Sequence, residues 1–512
     1  MASKGRDLGN IVSPKTGIAV TMSGDPIVLG VGNTERLRIK SDGFVGLGTD
    51  NPYHELHIQG SSDTRVLITS GGTGDAVMMF ENASGNTWGH GIDLTNNNYA
   101  IAYNNTSDPS LTLDGILNIT SAGDVGIGTE TPTGTNALTD NTATLAVGVA
   151  TVGALHVNSN AYPSVGPLSN RNLIVNGAMR VAQRGTSVTG VNDWGYYTCD
   201  RWRLGNQNLG TYTVTQESDG PADFTKSLKV ECTTADASPA NDDYLTLMQF
   251  IEAQDLQHLS FGNANAKSLI ISFYVKSNKT GGASFEVQQK DNSDRQVTFQ
   301  YTINSADTWE KKTISIPADT SGVINDDDGA GLRVLWWLNS GSTYTGGSHA
   351  TTWEAEVAAD RNVSNLGVGG AVSDYFQITG VQLETGSVAT PFEHRCFSDE
   401  LAKCQRYYVR FNNDTTSMGL NAPGYFNTES TVFFIFYFPI AMRDDVSLDY
   451  SNISDFDIEP WDRSITALSI FRSTPHYANL TATPSANRTQ GDVAFLTLDV
   501  TNSWIAFDAE LT

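Results

Sequence analysis

The run WWLNSGSTYTGGSHATTWEAE, residues 336–356, gathers four aromatic side chains, Trp336, Trp337, Tyr344 and Trp353, among Ser, Thr and Asn. Aromatic faces beside hydroxyl and amide groups are what a sugar ring needs. Its C–H face lies on the π surface and its hydroxyls exchange hydrogen bonds with the polar neighbours. Adjacent residues of a flat strand point to opposite faces, so Trp336 and Trp337 cannot both enter one core. One of them is exposed, or is covered by a neighbouring chain. Two readings stand for the set: core and subunit packing, or sugar contact made chiefly by Tyr344 and Trp353 in the loop-like part.

A second candidate is NDDDGAG, residues 325–331, where Asp326, Asp327 and Asp328 follow one another. Three carboxylates could ligate Ca²⁺. An EF-hand loop, however, alternates its acids and closes on a distant Glu, and this run does neither, which leaves a solvated turn as the other reading. Paired carboxylates also serve glycoside hydrolysis, but with 56 Asp and Glu in the chain such pairs are uninformative. There is no GxSxG elbow, no HExxH and no Cys with a placed His. His258 and His349 stand alone. No residue receives a catalytic assignment, no cofactor is implied, and the expectation is a protein that is not an enzyme.

The overall balance narrows the partners. A net charge of −25 repels nucleic-acid phosphates and anionic membranes, and leaves neutral glycans or cationic surfaces. Cys199, Cys232, Cys396 and Cys404 form no CxxC and no disulfide framework, and are read as free thiols made in a reducing cytoplasm. The opening MASKGRDLGNIVSPKTG has no apolar h-region, so no signal peptide is expected. The longest apolar run, VFFIFYFPI at 432–440, is too short to span a bilayer and reads as a buried strand, so no membrane insertion is expected.

The elements that must position these groups are β. Residues 37–52, LRIKSDGFVGLGTDNP, recur as LNITSAGDVGIGTETP at 117–132, and LHI at 56–58 is echoed by LHV at 155–157. Leu37 and Ile39 alternate with Arg38 and Lys40, Ser41–Gly43 turns the chain, and Val45 and Leu47 alternate with Gly46 and Gly48. The glycine pattern lacks the third Gly of GxGxxG and the Lys-Ser/Thr of a phosphate loop, so it is structural. Strands this short cannot bury a face alone. Two unequal copies make a poor solenoid, so the expected solution is intertwining with sister chains, the bare glycine edge allowing backbones to approach at a symmetry axis. RVLITS, AVMMFEN and YAIAYN supply further short strands between the copies.

After the polar, Pro-bearing linker at 158–172, strands lengthen: 227–232, 268–277, 283–290, 296–303, 309–317, 331–340 and 374–384. Regular strands without long helices predict a two-sheet antiparallel sandwich. CFSDELAKCQRYYVRF, 396–411, is the clearest helix, with Ser398 as N-cap and Asp399 and Glu400 in its first turn. Phe397, Leu401, Cys404, Tyr408 and Phe411 fall at heptad spacing. They predict either a clamp between chains or one helix against its own sandwich. Beyond it, 428–443, 464–473, 493–500 and 504–511 read as strands, the last pinning the C-terminal end.

The repeat SxGxVGIGTxxP…LHV resembles the shaft repeats of bacteriophage tail fibres. NRNLIVNGAMRVAQRGT, CDRWRL and QLETGSVATPFEHR together resemble a jelly-roll module of such fibres, notably those of phages infecting cyanobacteria, similar in shape to carbohydrate-binding modules. The resemblance implies an all-β, intertwined homotrimeric fibre. Its parts would be an N-terminal attachment and β-repeat shaft (1–160, repeats 37–58 and 117–157), a jelly-roll carbohydrate-binding-like domain (166–396), a short trimeric helix (397–411) and a C-terminal β-sandwich knob (412–512). It further implies a virion tail location, attachment to another virion protein through the N-terminal region, and recognition of a host lipopolysaccharide-like surface glycan. A tailspike-type glycan depolymerase and a structural virion fibre or adaptor are the alternatives.

Overall fold

In the computed structural model, residues 169–511 are described apart from 292–293 and 414–419. N-terminal to these, residues 26–127 are described apart from 32–33, 61–63, 71–74, 83, 85, 94–96, 105–114 and 120–124, together with 156–157 and 160–161. The chain forms two units, Met1–Val147 and Gly148–Thr512. The attachment segment expected at the N-terminus lies almost wholly outside the described residues, as does the insertion in the second repeat copy.

In the first unit the repeat is visible as register. Strands Thr34–Ile39 and Val45–Leu47 pair antiparallel through Leu37↔Leu47, Arg38↔Gly46 and Ile39↔Val45. The second copy pairs its equivalent residues in the same way, Leu117↔Ile127, Asn118↔Gly126 and Ile119↔Val125. The third strand, Leu56–Ile58, then lies parallel to Val45–Leu47. Its counterpart His156–Val157 pairs instead with Asn160–Ala161. The glycine edge is not bare: the chain folds back over it, so that a Cβ on Gly46 would sit 2.6 Å from the Thr49 carbonyl and 3.4 Å from the Pro52 ring. Gly46 thus serves the turn of its own chain, which corrects the expectation of a backbone approach between copies. RVLITS, at 65–70, forms no strand.

A five-stranded sheet, Ala76–Glu81, Thr87–Asp93, Asn98–Asn104, Gly115–Ile119 and Val125–Ile127, follows in simple up-and-down order. Because partners directly opposite share a face, the pairs Phe80↔Trp88↔Tyr103, Met78↔His90↔Ile101 and Ala76↔Ile92↔Tyr99 build one aromatic and aliphatic face. Met78, Phe80, Trp88, Ile92 and Tyr99 on it are exposed. The opposite face sets Gly89, Gly91 and the buried Ala100 and Ala102 beside Val77 and Met79, with Val77 packed against the two alanines.

The second unit opens with the expected sandwich. Six strands, Ser187–Val191, Thr211–Glu217, Ser227–Thr234, Tyr375–Thr385, Leu269–Ser277 and Glu310–Ile316, lie side by side in that order. They face a sheet of seven: Gly195–Tyr196, Arg203–Gln207, Tyr244–Glu252, Ala330–Ser340, Gly281–Gln289, Arg295–Ile303 and Glu354–Ala355. Alternation sends Leu269, Ile271, Phe273 and Val275 of one sheet and Phe285, Val287, Val334 and Trp336 of the other into a shared core.

The helix runs Phe397–Gln405 and stops there. Cys396, not Ser398, occupies the cap position, and Asp399 and Glu400 do lie in the first turn. Tyr408 and Phe411 belong to a strand, Tyr408–Asn412, which pairs with Trp504–Asp508. The heptad seam is therefore broken: Phe397 is exposed, Leu401 half-buried, and Cys404 and Tyr408 are buried by their own chain. The alternating aromatic and β-branched residues of YVRF favour a ladder with a distant strand over another helical turn.

The C-terminal part is a closed six-stranded barrel, not a sandwich, formed by Ala422–Thr428, Thr431–Tyr437, Tyr477–Pro484, Arg463–Thr474, Phe456–Glu459 and Val493–Leu498. Closure leaves no free sheet edge. Trp504–Asp508 is the middle strand of a separate three-stranded sheet, and the residues after it dock on the sandwich. Glu510 pairs with the buried Arg201, and the Leu511 carbonyl accepts from the Tyr196 hydroxyl at 2.6 Å. Among the described residues, no helix is long and apolar enough to cross a membrane.

Candidate functional site

The four aromatic candidates do not form one site. Trp336 is 0% exposed and lies in the core against Trp202, Phe273 and Phe285, at ring distances of 5.6, 5.4 and 5.1 Å. Trp337 points to the outer face, as the alternation demands, yet is only 1% exposed. The loop after its strand folds back over it: Tyr344 sits 5.1 Å away and the Arg361 guanidinium 5.0 Å over its ring. Its indole N–H donates to Glu286 at 2.7 Å, and Glu286 accepts from Arg361 at 3.0 Å. Both tryptophans are thus packing residues within one chain and have no face for a sugar. Neither needs a neighbouring chain to cover it.

Tyr344 is half-buried on this plug, where burial raises its pKa. Trp353 packs elsewhere, edge-on to Phe261 with its N–H on the Pro317 carbonyl at 2.7 Å. Asp326, Asp327 and Asp328 are held by their backbone, the Asp327 carbonyl accepting from Gln254 N at 2.8 Å and the Asp328 carbonyl from Arg443 at 3.1 Å. Asp327 accepts from the Gly329 N–H at 2.9 Å, a local turn, and no group of three His, Cys, Asp or Glu among the described residues could hold a metal. The solvated-turn reading replaces the Ca²⁺ site. His258 and His349 both have pKa values lowered by burial, with Lys267 adding to the effect at His258.

What the sequence motifs do build is a clasp. The Arg171 Nε donates to Thr390 at 2.8 Å and its Nη2 to the Pro391 carbonyl at 2.6 Å. The Asn172 N–H reaches Glu393 at 3.0 Å, its side-chain oxygen accepts from Leu383 N at 3.0 Å and its amide donates to the Val381 carbonyl at 3.1 Å. Arg395 returns the grip on the Asn172 and Ile174 carbonyls, and Asn176 N donates to Glu400 of the helix. The opening NRNLIVN and the closing ATPFEHR are therefore two halves of one polar lock, which is why they occur together. These bonds join residues far apart in the chain, so the lock fixes the segment Thr390–Arg395 rigidly against the six-stranded sheet.

Beside that segment lies an open cleft of about 570 Å³, within the size range of ligand pockets. Phe392 and His394 of the closing motif meet Phe224 and Tyr274 there. Phe224 lies 5.0 Å from Phe392, 5.2 Å from His394 and 5.5 Å from Tyr274. Its floor is a β-bulge: the ladder between Leu269–Ser277 and Tyr375–Thr385 slips between Ser272 and Tyr274, opposite Gly380. Gly380 has φ +60°, and a Cβ there would stand 2.7 Å from the Phe224 ring and 2.9 Å from that of Tyr274. Only glycine lets the backbone take this turn and the rings close over it.

Asp223, Ser272 and Lys311 complete the lining with an acceptor, a hydroxyl and a cation, Lys311 standing 5.9 Å from the Tyr274 ring. Phe392 and Tyr274 are half-buried and His394 exposed. Partly open rings beside hydrogen-bonding groups on a rigid sheet can hold a polar ring by one face and by its hydroxyls. Sequence reading missed this cleft. Its residues come from a loop near 224, a strand near 274 and the closing motif near 392, and only the last was recognised as a motif.

No protein-family model matches the chain, and no curated protein matches it in sequence. Among solved structures, it is similar to the enzymatically active domain of tailspike protein 4 from bacteriophage CBA120, at 11% identity and a TM-score of 0.24. That match covers 42% of this chain and 21% of the other, so the chain spans about a fifth of the tailspike domain. It is also similar to the carbohydrate-binding module TmCBM61, solved with β-1,4-galactotriose (9% identity, TM-score 0.22, 42% of this chain and 99% of the module). A family 11 carbohydrate-binding module from Clostridium thermocellum gives 14% identity, a TM-score of 0.21, and coverage of 40% and 98%.

Proposed function

We propose that this chain is a phage tail fibre that assembles as a homotrimer and recognises a host bacterial surface glycan, of lipopolysaccharide type, without cleaving it. The observation that carries the reading is the cleft bounded by Phe224, Tyr274, Phe392 and His394, where aromatic rings and hydrogen-bonding groups line one concavity of a jelly-roll sandwich. The fibre part rests on the first unit. Its repeat resembles fibre shafts, and its five-stranded sheet leaves Phe80 and Trp88 uncovered within one chain, as an intertwined assembly requires. The N-terminal region joins another virion protein of the tail. Adhesion then arises from three weak sites on one particle acting together.

The test is binding of the purified full chain to envelope polysaccharides immobilised as an array, with Tyr274→Ala and Phe392→Ala beside it. Each variant is expected to weaken binding about tenfold, the loss of about 1.4 kcal/mol of ring contact. Unchanged binding in both variants sinks the cleft as the receptor site. Reducing ends released from the bound polysaccharide would replace the adhesin by a tailspike-type depolymerase. Antibody label confined to the head would leave a structural virion fibre.

A further inference from the structure

On the other side of the same closing segment, Arg395 lines a second pocket, of about 410 Å³. Asn170–Val175 of the opening motif, the short helix Ala253–Leu259 and the helix Phe397–Gln405 enclose it. Four permanent cations line it, Arg171, Lys267, Arg395 and Lys403, against the single carboxylate of Asp255. In a chain of net charge −25 with 31 Lys and Arg, such a local excess on a pocket wall is unexpected.

The two arginines are offset by three carboxylates outside the lining: Arg171 has Glu384 at 3.4 Å and Glu393 at 3.9 Å, and Arg395 has Glu393 and Glu400 at 3.4 Å each, which leaves the two lysines as the uncompensated charges. These ties hold the guanidinium groups in place as fixed parts of the wall. They do not satisfy every donor: the Arg395 Nε is buried without a hydrogen-bond partner, in a side chain only 8% exposed. Lys267 and Lys403 enter no ion pair among the described residues. Two uncommitted ammonium groups thus stand on the wall of one pocket, beside guanidinium groups held in place, and a charged acceptor would pair with them.

We propose that this pocket is an oxyanion site, taking a carboxylate or a phosphate group. On the glycan reading above, on which this part rests, the group is borne by an acidic saccharide, and the receptor is an anionic stretch of envelope polysaccharide despite the acidity of the chain. The other source of the same chemistry is free inorganic phosphate. Asp255, on the rim, excludes a second anion and limits the site to one such group.

Isothermal titration of the full chain with α-1,4-linked galacturonate trimer, the neutral galactotriose and inorganic phosphate separates these sources. Lys267→Ala and Lys403→Ala, singly and together, lie at exposed or half-buried positions, and their folding is checked by thermal melting. The expected result is that the acidic trimer binds more tightly than the neutral one, and that the double variant loses about tenfold or more for the acidic trimer only. Binding of phosphate alone, lost in the double variant, supports the oxyanion site and removes the saccharide as its carrier. If neither anion binds, or binding survives in the double variant while Tyr274→Ala abolishes it, the oxyanion site is refuted and the cleft stands without it.

Discussion

Phe80→Ser with Trp88→Ser puts the fibre reading at risk. The two rings lie directly opposite each other across a strand pair and are 57% and 45% exposed. Taking about 200 and 250 Å² for whole Phe and Trp side chains, about 110 Å² of each is left uncovered. At about 25 cal/mol per Å², covering half of that area stabilises the assembly by about 3 kcal/mol per chain, or about a hundredfold in association. Within a single chain the rings are about half covered, against His90 and Tyr103, so the substitutions also remove intrachain contact, and circular dichroism is the control that the sheet still forms. Mass photometry at low nanomolar concentration reads the difference. The wild type is expected as a particle of three chains, and the double variant as dissociated chains with unchanged circular dichroism. A wild type that is monomeric under these conditions, or a double variant that stays assembled, refutes the reasoning that this face is covered by sister copies.

Three further outcomes follow from the second unit. Glu510→Gln leaves the buried Arg201 guanidinium without its charge partner, and is expected to cost about 3 kcal/mol in denaturant unfolding. Trp337→Phe deletes the donor to buried Glu286 and is expected to destabilise by about 1–3 kcal/mol, while glycan titration stays unchanged; lost binding at full stability would restore Trp337 as a contact residue. Burial, and then the neighbouring Asp499 carboxyl, push the pKa of Asp457 up to about 6. The folded state therefore holds a proton that the unfolded chain releases near pH 4, so this group makes stability fall as pH rises from about 4 to 6. Asp457→Asn is expected to flatten that part of the stability profile, and an unchanged slope would count against the raised pKa.

Much of the architecture was legible because it is local. Period-two alternation located the strands Leu269–Ser277, Gly281–Gln289, Arg295–Ile303, Ala330–Ser340 and Tyr375–Thr385 to within a residue or two. The repeated Leu-x-Ile…Val-Gly-aliphatic pattern anticipated a hairpin register that the two copies share. The strand Tyr244–Glu252, not among those located from the sequence, carries an almost continuously buried run, since one face meets the core and the other meets Tyr407 and Leu511.

Where the reading went astray, the deciding contacts were distant. The spacing of Phe397, Leu401, Cys404, Tyr408 and Phe411 is helical on paper, but Trp504–Asp508, far along the chain, offers Tyr408–Asn412 a ladder, and long-range pairing prevails over two turns of heptad. The candidate site shows the same division. The sequence determined that Trp336 and Trp337 must part to opposite faces, because side-chain direction alternates along any strand. Only the tertiary structure decided that the outer one is sealed by Tyr344 and Arg361, and that the open rings lie on the other sheet, around Gly380. What covers a face depends on which remote segments fold across it, and that is set by the packing of the whole unit rather than by any neighbouring residue.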